Sequence, residues 1–179
     1  MVSVGRIARS RITWVVAGVA VIALAVGLYL FEPWRLFTST TVEEAAPTIS
    51  APVTPGAAPA PETRTLYTGA FISHEHDTSG TVAVLQLGDG TRVLRLENLA
   101  TSDGPALFVW LTDAPVIPGT DGWRVFDDGA YLNLGELKGN KGNQNYEIPA
   151  DADLSTLTSV SIWCDRFNVS FGAAELKAA

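Results

Sequence analysis

The sequence has very few of the side chains that usually carry chemistry. It contains one cysteine, Cys164, one methionine, Met1, and two histidines, His74 and His76. A single cysteine excludes an internal disulfide. No nucleotide-binding glycine loop occurs, and no Ser/His/Asp arrangement can be argued, so no hydrolase or transferase is indicated and enzymatic activity stays an open question.

Charge is missing from one long stretch near the start. Residues 12–30 contain no Asp, Glu, Lys or Arg, and nineteen helical residues span roughly 28 Å, close to the hydrocarbon thickness of a bilayer. Arg6, Arg9 and Arg11 precede the run, and arginine accumulates on the cytoplasmic side of membranes. We therefore expect a single-pass protein of the cell membrane, with residues 1–11 cytoplasmic, residues 12–30 a transmembrane signal-anchor helix in membrane lipid, and the remainder extracytoplasmic.

A cleaved secretory signal is the alternative interpretation of this run. Nineteen apolar residues are many for the core of such a signal. The segment that follows, Gly27–Pro33, also lacks a small-x-small cleavage site. Both features favour a retained helix, and both interpretations place the rest of the chain outside the cytoplasm.

Residues 38–63 offer little that could form a hydrophobic core. Proline recurs among Ala, Thr and Ser, and it blocks both a helix and a strand ladder. The sequence predicts a disordered Pro/Ala/Thr-rich linker here, which at about 3.1 Å per residue reaches at most roughly 80 Å. The prolines are Pro47, Pro52, Pro55, Pro59 and Pro61.

The acidity of the chain belongs to its C-terminal part. Residues 64–177 contain eight Lys or Arg and fifteen Asp or Glu, a net charge of −7, whereas the first 63 residues contain four of each sign. An acidic surface repels phosphate backbones. We therefore expect no nucleic-acid partner.

Short apolar or alternating runs separated by turn residues fill residues 64–177. Gly88-Asp89-Gly90 lies between two alternating β-branched runs, which is a strong hairpin signal. Residues 138–143 are predicted to form another turn. About eight such strands favour an all-β domain, a compact antiparallel β-sandwich of jelly-roll or Greek-key type, preceded by the one transmembrane helix and the disordered linker.

Cys164 ends an apolar strand, and a buried small hydrophobe is the ordinary interpretation of a free cysteine in that position. Because strand side chains alternate, Cys164 is expected to share a face with Ile162, with Trp163 on the other face. His74 and His76 would point the same way in an extended segment and could bind one metal ion, with a thiolate completing a zinc or copper site. Solvated loop histidines are the alternative.

Several stretches in one order resemble a known family, the DM-thirteen electron-transfer domain, which often lies beside DOMON domains in secreted and membrane proteins. They cover nearly the whole of residues 64–177. The matching stretches are Gly69–Phe71, His76–Gly80, Leu94–Asn98, Gly104–Pro105, Val109–Leu111, Leu134–Pro149, Ser159–Phe167 and Phe171–Leu176.

The resemblance implies a redox role through a cysteine, used as a bare thiol or as a ligand to a group such as haem. Cys164 matches that cysteine and His76 matches the histidine of the HxxxG segment, while Ala106 and Trp110 replace the usual aspartate and tyrosine. The expected function is a membrane-tethered extracytoplasmic electron-transfer module acting through Cys164. Haem or a metal ion is the candidate cofactor, and the redox or protein partner is unidentified. The alternative is a non-catalytic binding domain with a structural cysteine.

Overall fold

The structure is a computed structural model that describes residues 11–48 and 62–179. Arg6 and Arg9, and residues 49–61 of the expected linker, lie outside the described residues. The first element is helix α1, Arg11–Phe31, which contains an 18-residue window with a mean hydropathy of 2.4 and has no buried residue. This helix is long and apolar enough to cross a membrane, which fits a single-pass protein, and a signal sequence has the same properties.

The other regular elements of the described chain are strands, apart from two short 3₁₀ helices at Pro33–Phe37 and Thr120–Gly122. The prediction of an all-β domain preceded by an apolar helix is confirmed. The strands are β1 Thr41–Glu43, β2 Arg64–Ser73, β3 Ser79–Gln86, β4 Arg92–Ala100, β5 Leu107–Thr112, β6 Tyr131–Glu136, β7 Lys141–Ile148, β8 Ser159–Cys164, β9 Val169–Glu175 and β10 Lys177–Ala178.

Within the described residues the strands form one continuous mixed sheet in the order β1-β7-β4-β3-β2-β9-β8-β5-β6, and β10 pairs with β2. Strand β2 joins the two halves, because its first part pairs with β3 and its last three residues pair with β9. The sheet curls until β6 comes into contact with β7. The expected sandwich is therefore a single curled sheet, antiparallel except for the pairing of β1 with β7.

The hydrophobic core lies inside this curl. Full burial of one Val, Leu, Ile, Phe or Met side chain in such a core contributes about 1.5–3 kcal/mol to the stability of the fold. A second, aromatic cluster on the other face of β8 contains Trp110, Phe126 and Trp163. Cys164 and Ile162 lie in the main core and Trp163 in the second cluster, so the predicted alternation along β8 is confirmed. Fully buried members of the main core include Val84, Leu94, Leu96, Val109, Leu111, Val160 and Ile162.

The structure differs from the sequence prediction at the start of the expected linker, where Thr41–Glu43 forms strand β1. This strand runs parallel to Lys141–Asn143, the beginning of β7. Gly142 has φ 97°, and a Cβ there would collide with the carbonyl oxygen of Val42. Gly142, which indicates a turn in the sequence, thus allows β1 to approach. Strand β1 has only three residues, which are too few to show the two-residue period of a strand.

Candidate functional site

Cys164 is the last residue of β8, and its side chain is 0% exposed. Its S–H group donates to the carbonyl oxygen of Pro105 at 3.3 Å. Burial raises the pKa of the thiol, and the backbone N–H groups of Phe167 and Arg166 offset part of that effect. The sulfur is consequently a protonated thiol at neutral pH, since the pKa of a cysteine lies above 7 even before this shift.

A turn, residues 165–168, covers the end of β8 and is held by two arginines. Arg124 donates to the carbonyl oxygens of the last two residues of the turn, at 2.9 and 3.1 Å. Arg166, in the turn itself, donates to the carbonyl oxygens of Tyr29 and Leu30 at 3.2 and 2.7 Å. The turn above Cys164 is therefore attached both to the domain and to the last turn of α1.

His76 lies in the bend that follows β2. Its ring packs on Phe171 with 3.9 Å between ring centroids, and its Nε2 lies 2.9 Å from a carboxylate oxygen of Glu75. Phe171 belongs to the core cluster that contains Cys164. Within the described part of the chain no hydrogen bond or ion pair joins His76 to the sulfur, and Phe171 is the member of that core cluster on which His76 packs.

His74 is buried and has a structural role. Its Nε2 lies 3.1 Å from the carbonyl oxygen of Ile117, which can only accept, so Nε2 carries the proton. Its Nδ1 then accepts from the hydroxyl of Ser170 at 2.9 Å, and Ser170 accepts from Ser161 at 3.0 Å. This chain of hydrogen bonds satisfies a neutral imidazole, and burial lowers the pKa of His74.

The two histidines therefore lie on different sides of the bend, and their rings do not face one common metal position. Strand β2 ends at Ser73, and the bend after it breaks the alternation that would place both rings on one side. His74 packs against Phe126 of the aromatic cluster, whereas His76 packs against Phe171 of the main core.

A cavity of about 360 Å³, here called the junction pocket, lies between the end of α1 and the domain. Its domain side includes His76 and Pro105, whose carbonyl oxygen holds the thiol of Cys164. Cys164 thus lies directly behind the wall of the pocket. The residues that define the pocket are Phe31, Pro33, Arg35, His76, Phe167 and Phe171, with Glu32, Glu75, Asp103, Gly104 and Pro105 completing its lining.

Most of this lining does not follow from the sequence interpretation. A disordered linker after the helix would leave Phe31 and Arg35 far from the domain. The structure instead ties the segment after α1 to the domain, because Arg35 and Thr38 bond to Asp103 at 3.5 and 2.6 Å. In the sequence, the only indication of this attachment is the group of charged and aromatic residues directly after the apolar run.

Neither haem nor a metal ion fits Cys164 as the structure places it. A thiolate ligand needs an accessible sulfur and room for the metal. Here the sulfur is fully buried and its proton is bonded to Pro105. Residues 11–48 and 62–179 also contain no group of three or more His, Cys, Asp or Glu side chains that could hold a metal ion.

Comparison with protein families gives a match to electron transfer DM13 over residues 70–176. The matched segment runs from within β2 to the residue after β9 and contains both Cys164 and His76. No curated protein matches the chain, and no solved structure does.

Proposed function

Because the chain belongs to the electron transfer DM13 family, we propose that it is a membrane-tethered, extracytoplasmic electron-transfer module in which Cys164 is the redox residue. The family supports a general electron-transfer role and hence some redox or protein partner. The observation that carries the finer proposal is the position of the only cysteine, behind the wall of the junction pocket and covered by a turn attached to α1.

In the proposed role the sulfur of Cys164 exchanges electrons with a redox partner, and the buried thiol is the reduced form. Burial suits this chemistry, because an exposed thiol outside the cytoplasm would be oxidised to the sulfenic and sulfinic levels.

The redox proposal is tested with the purified full chain in lipid nanodiscs. Square-wave voltammetry is expected to give a redox signal that Cys164→Ser abolishes, while circular dichroism stays that of a β-protein. Ile162→Val is the matched control, because Ile162 is buried on the same face of β8, and it should keep the signal. A signal that survives Cys164→Ser, or a wild-type chain with no signal, would overturn the proposal and favour the structural cysteine.

The membrane tether and its orientation form a separate part of the proposal. Arg6 and Arg9 precede α1 and Arg11 is its first residue, and this excess of positive charge favours a cytoplasmic N-terminus. A reporter that is active only outside the cytoplasm, fused after Ala179, should be active, and the chain should stay in the membrane fraction. Release of a shortened soluble chain would show cleavage, and activity of a cytoplasmic reporter would reverse the orientation.

A further inference from the structure

The junction pocket lies at the level where a membrane would meet water if α1 spans it. The helix ends at Phe31, and three large aromatic side chains around this end are exposed: Tyr29 by 72%, Trp34 by 50% and Phe37 by 90%. Aromatic rings concentrate at the headgroup level of membranes. A molecule dissolved in the bilayer with its polar end at the surface could therefore reach the pocket without crossing water.

Aromatic rings line the pocket from two sides. Phe31 of the helix stacks with Phe167 of the turn, with 5.6 Å between centroids and 24° between planes. On the domain side, His76 lies against Phe171 with 3.9 Å between centroids. Such faces favour a flat ring over a flexible acyl chain, because offset stacking adds to the free energy of area burial.

Hydrogen-bond donors for a ligand lie on one side of the same pocket. Arg35 bonds to Glu32 and Asp103 through two of its five N–H donors, which leaves donors for a ligand. Nε2 of His76 lies 2.9 Å from a carboxylate oxygen of Glu75, which can only accept, so the ring offers the pocket its aromatic face rather than a donor. A ring with an acceptor oxygen on its edge would use the remaining donors of Arg35.

The charge of the lining excludes a phosphate as the preferred ligand. Three carboxylates, Glu32, Glu75 and Asp103, line the pocket against the single guanidinium of Arg35. Like charges within a few ångströms disfavour an anion. The lining thus selects against an anionic headgroup, and the preference for a ring rests on the aromatic walls.

From these features we propose that the junction pocket binds the head ring of a quinone-class carrier dissolved in the membrane. The cavity of about 360 Å³ falls within the range of small-molecule sites. The choice of a redox-active ring over other rings rests on the proposed electron-transfer function. The location of the pocket, its aromatic walls and its donors support a ring ligand independently of that function.

The test uses the full chain in phosphatidylcholine nanodiscs, titrated with menadione and followed by calorimetry. Binding is expected to be saturable and one-to-one. Phe167→Leu and Arg35→Gln each remove one recognition element and should weaken binding about tenfold. Phe37→Leu is the matched control, because Phe37 is exposed beside the pocket without lining it, and its affinity should equal that of the wild type.

Three outcomes would overturn the proposal: non-saturable partition of menadione, equal weakening by Phe37→Leu, and displacement of menadione when phosphatidylglycerol is added to the nanodiscs, which would identify a lipid headgroup site. Cys164→Ser separates the two hypotheses, since it should leave menadione binding unchanged. Binding without a cysteine redox signal would refute only the role of Cys164. A cysteine signal without menadione binding would refute only the quinone site.

Discussion

Loosening the turn over Cys164 should make its thiol react faster with an alkylating reagent. In the native structure the sulfur is fully buried, so labelling requires the turn, residues 165–168, to open first. When opening and closing are fast, the labelling rate follows the population of the open state. We therefore expect N-ethylmaleimide to label the folded wild-type chain far more slowly than the unfolded chain.

Arg166→Gln tests the attachment of this turn to α1. The substitution removes two hydrogen bonds from an exposed guanidinium to the carbonyl oxygens of Tyr29 and Leu30. After allowance for solvent, the pair contributes about 1 kcal/mol, so labelling should become about fivefold faster. The charge of Arg166 lowers the pKa of Cys164, so its loss reduces the thiolate fraction, and electrostatics alone would slow the reaction.

Arg92→Gln is the matched control, because Arg92 also donates two hydrogen bonds to backbone carbonyls, those of Pro149 and Ala150, at 2.7 and 2.9 Å. Labelling is followed by the mass of the intact chain in nanodiscs at about pH 8, where part of the thiol is ionised. Equal acceleration by Arg92→Gln would attribute the effect to global stability. An unchanged rate in Arg166→Gln, or wild-type labelling as fast as that of the unfolded chain, would refute the reasoning.

Two further predictions concern stability. A chain that starts at Glu62 lacks β1, and with it the hydrogen bonds from Thr40 to Asn140 and from Asn145 to Glu44. In urea denaturation its free energy of unfolding should be about 2–4 kcal/mol lower than that of a chain that starts at Thr38. Equal midpoints for the two chains would contradict a role for β1. Burial lowers the pKa of His74 below its ordinary 6.5, so the unfolded chain binds more protons and stability should fall as pH drops through 6.5. His74→Gln should remove this dependence, and an unchanged pH profile in that variant would assign it to another group.

The elements with a clear period could be predicted from the sequence. The apolar run predicts α1 to within one residue at each end, and the Asp89-Gly90 turn predicts the β3–β4 hairpin. In the structure Asp89 accepts from the backbone N–H of Thr91 at 2.9 Å, and Gly90 has φ 90°. Alternation along β8 likewise places Cys164 and Trp163 on opposite faces.

The position of β1 and the junction pocket could not be predicted, because both depend on contacts between distant parts of the chain. Strand β1 has only three residues and pairs about a hundred positions away, so it carries no local pattern. Arg166 bonds to carbonyl oxygens of α1, and any residue in the last turn of a helix offers such carbonyls. The environment of His76 depends on the bend after Ser73, which two histidines in a polar segment do not reveal.

The attachment of the domain to the last turn of α1 couples rotation of one to rotation of the other. Since the chain enters β1 ten residues after the helix ends, the length of residues 49–61 does not set the distance between α1 and the domain. The helix and the domain rotate together instead. One residue inserted in the last turn of α1 would turn the domain by about 100° and raise it by about 1.5 Å. In the proposed membrane-tethered arrangement, the helix itself thus sets the direction in which the junction pocket opens.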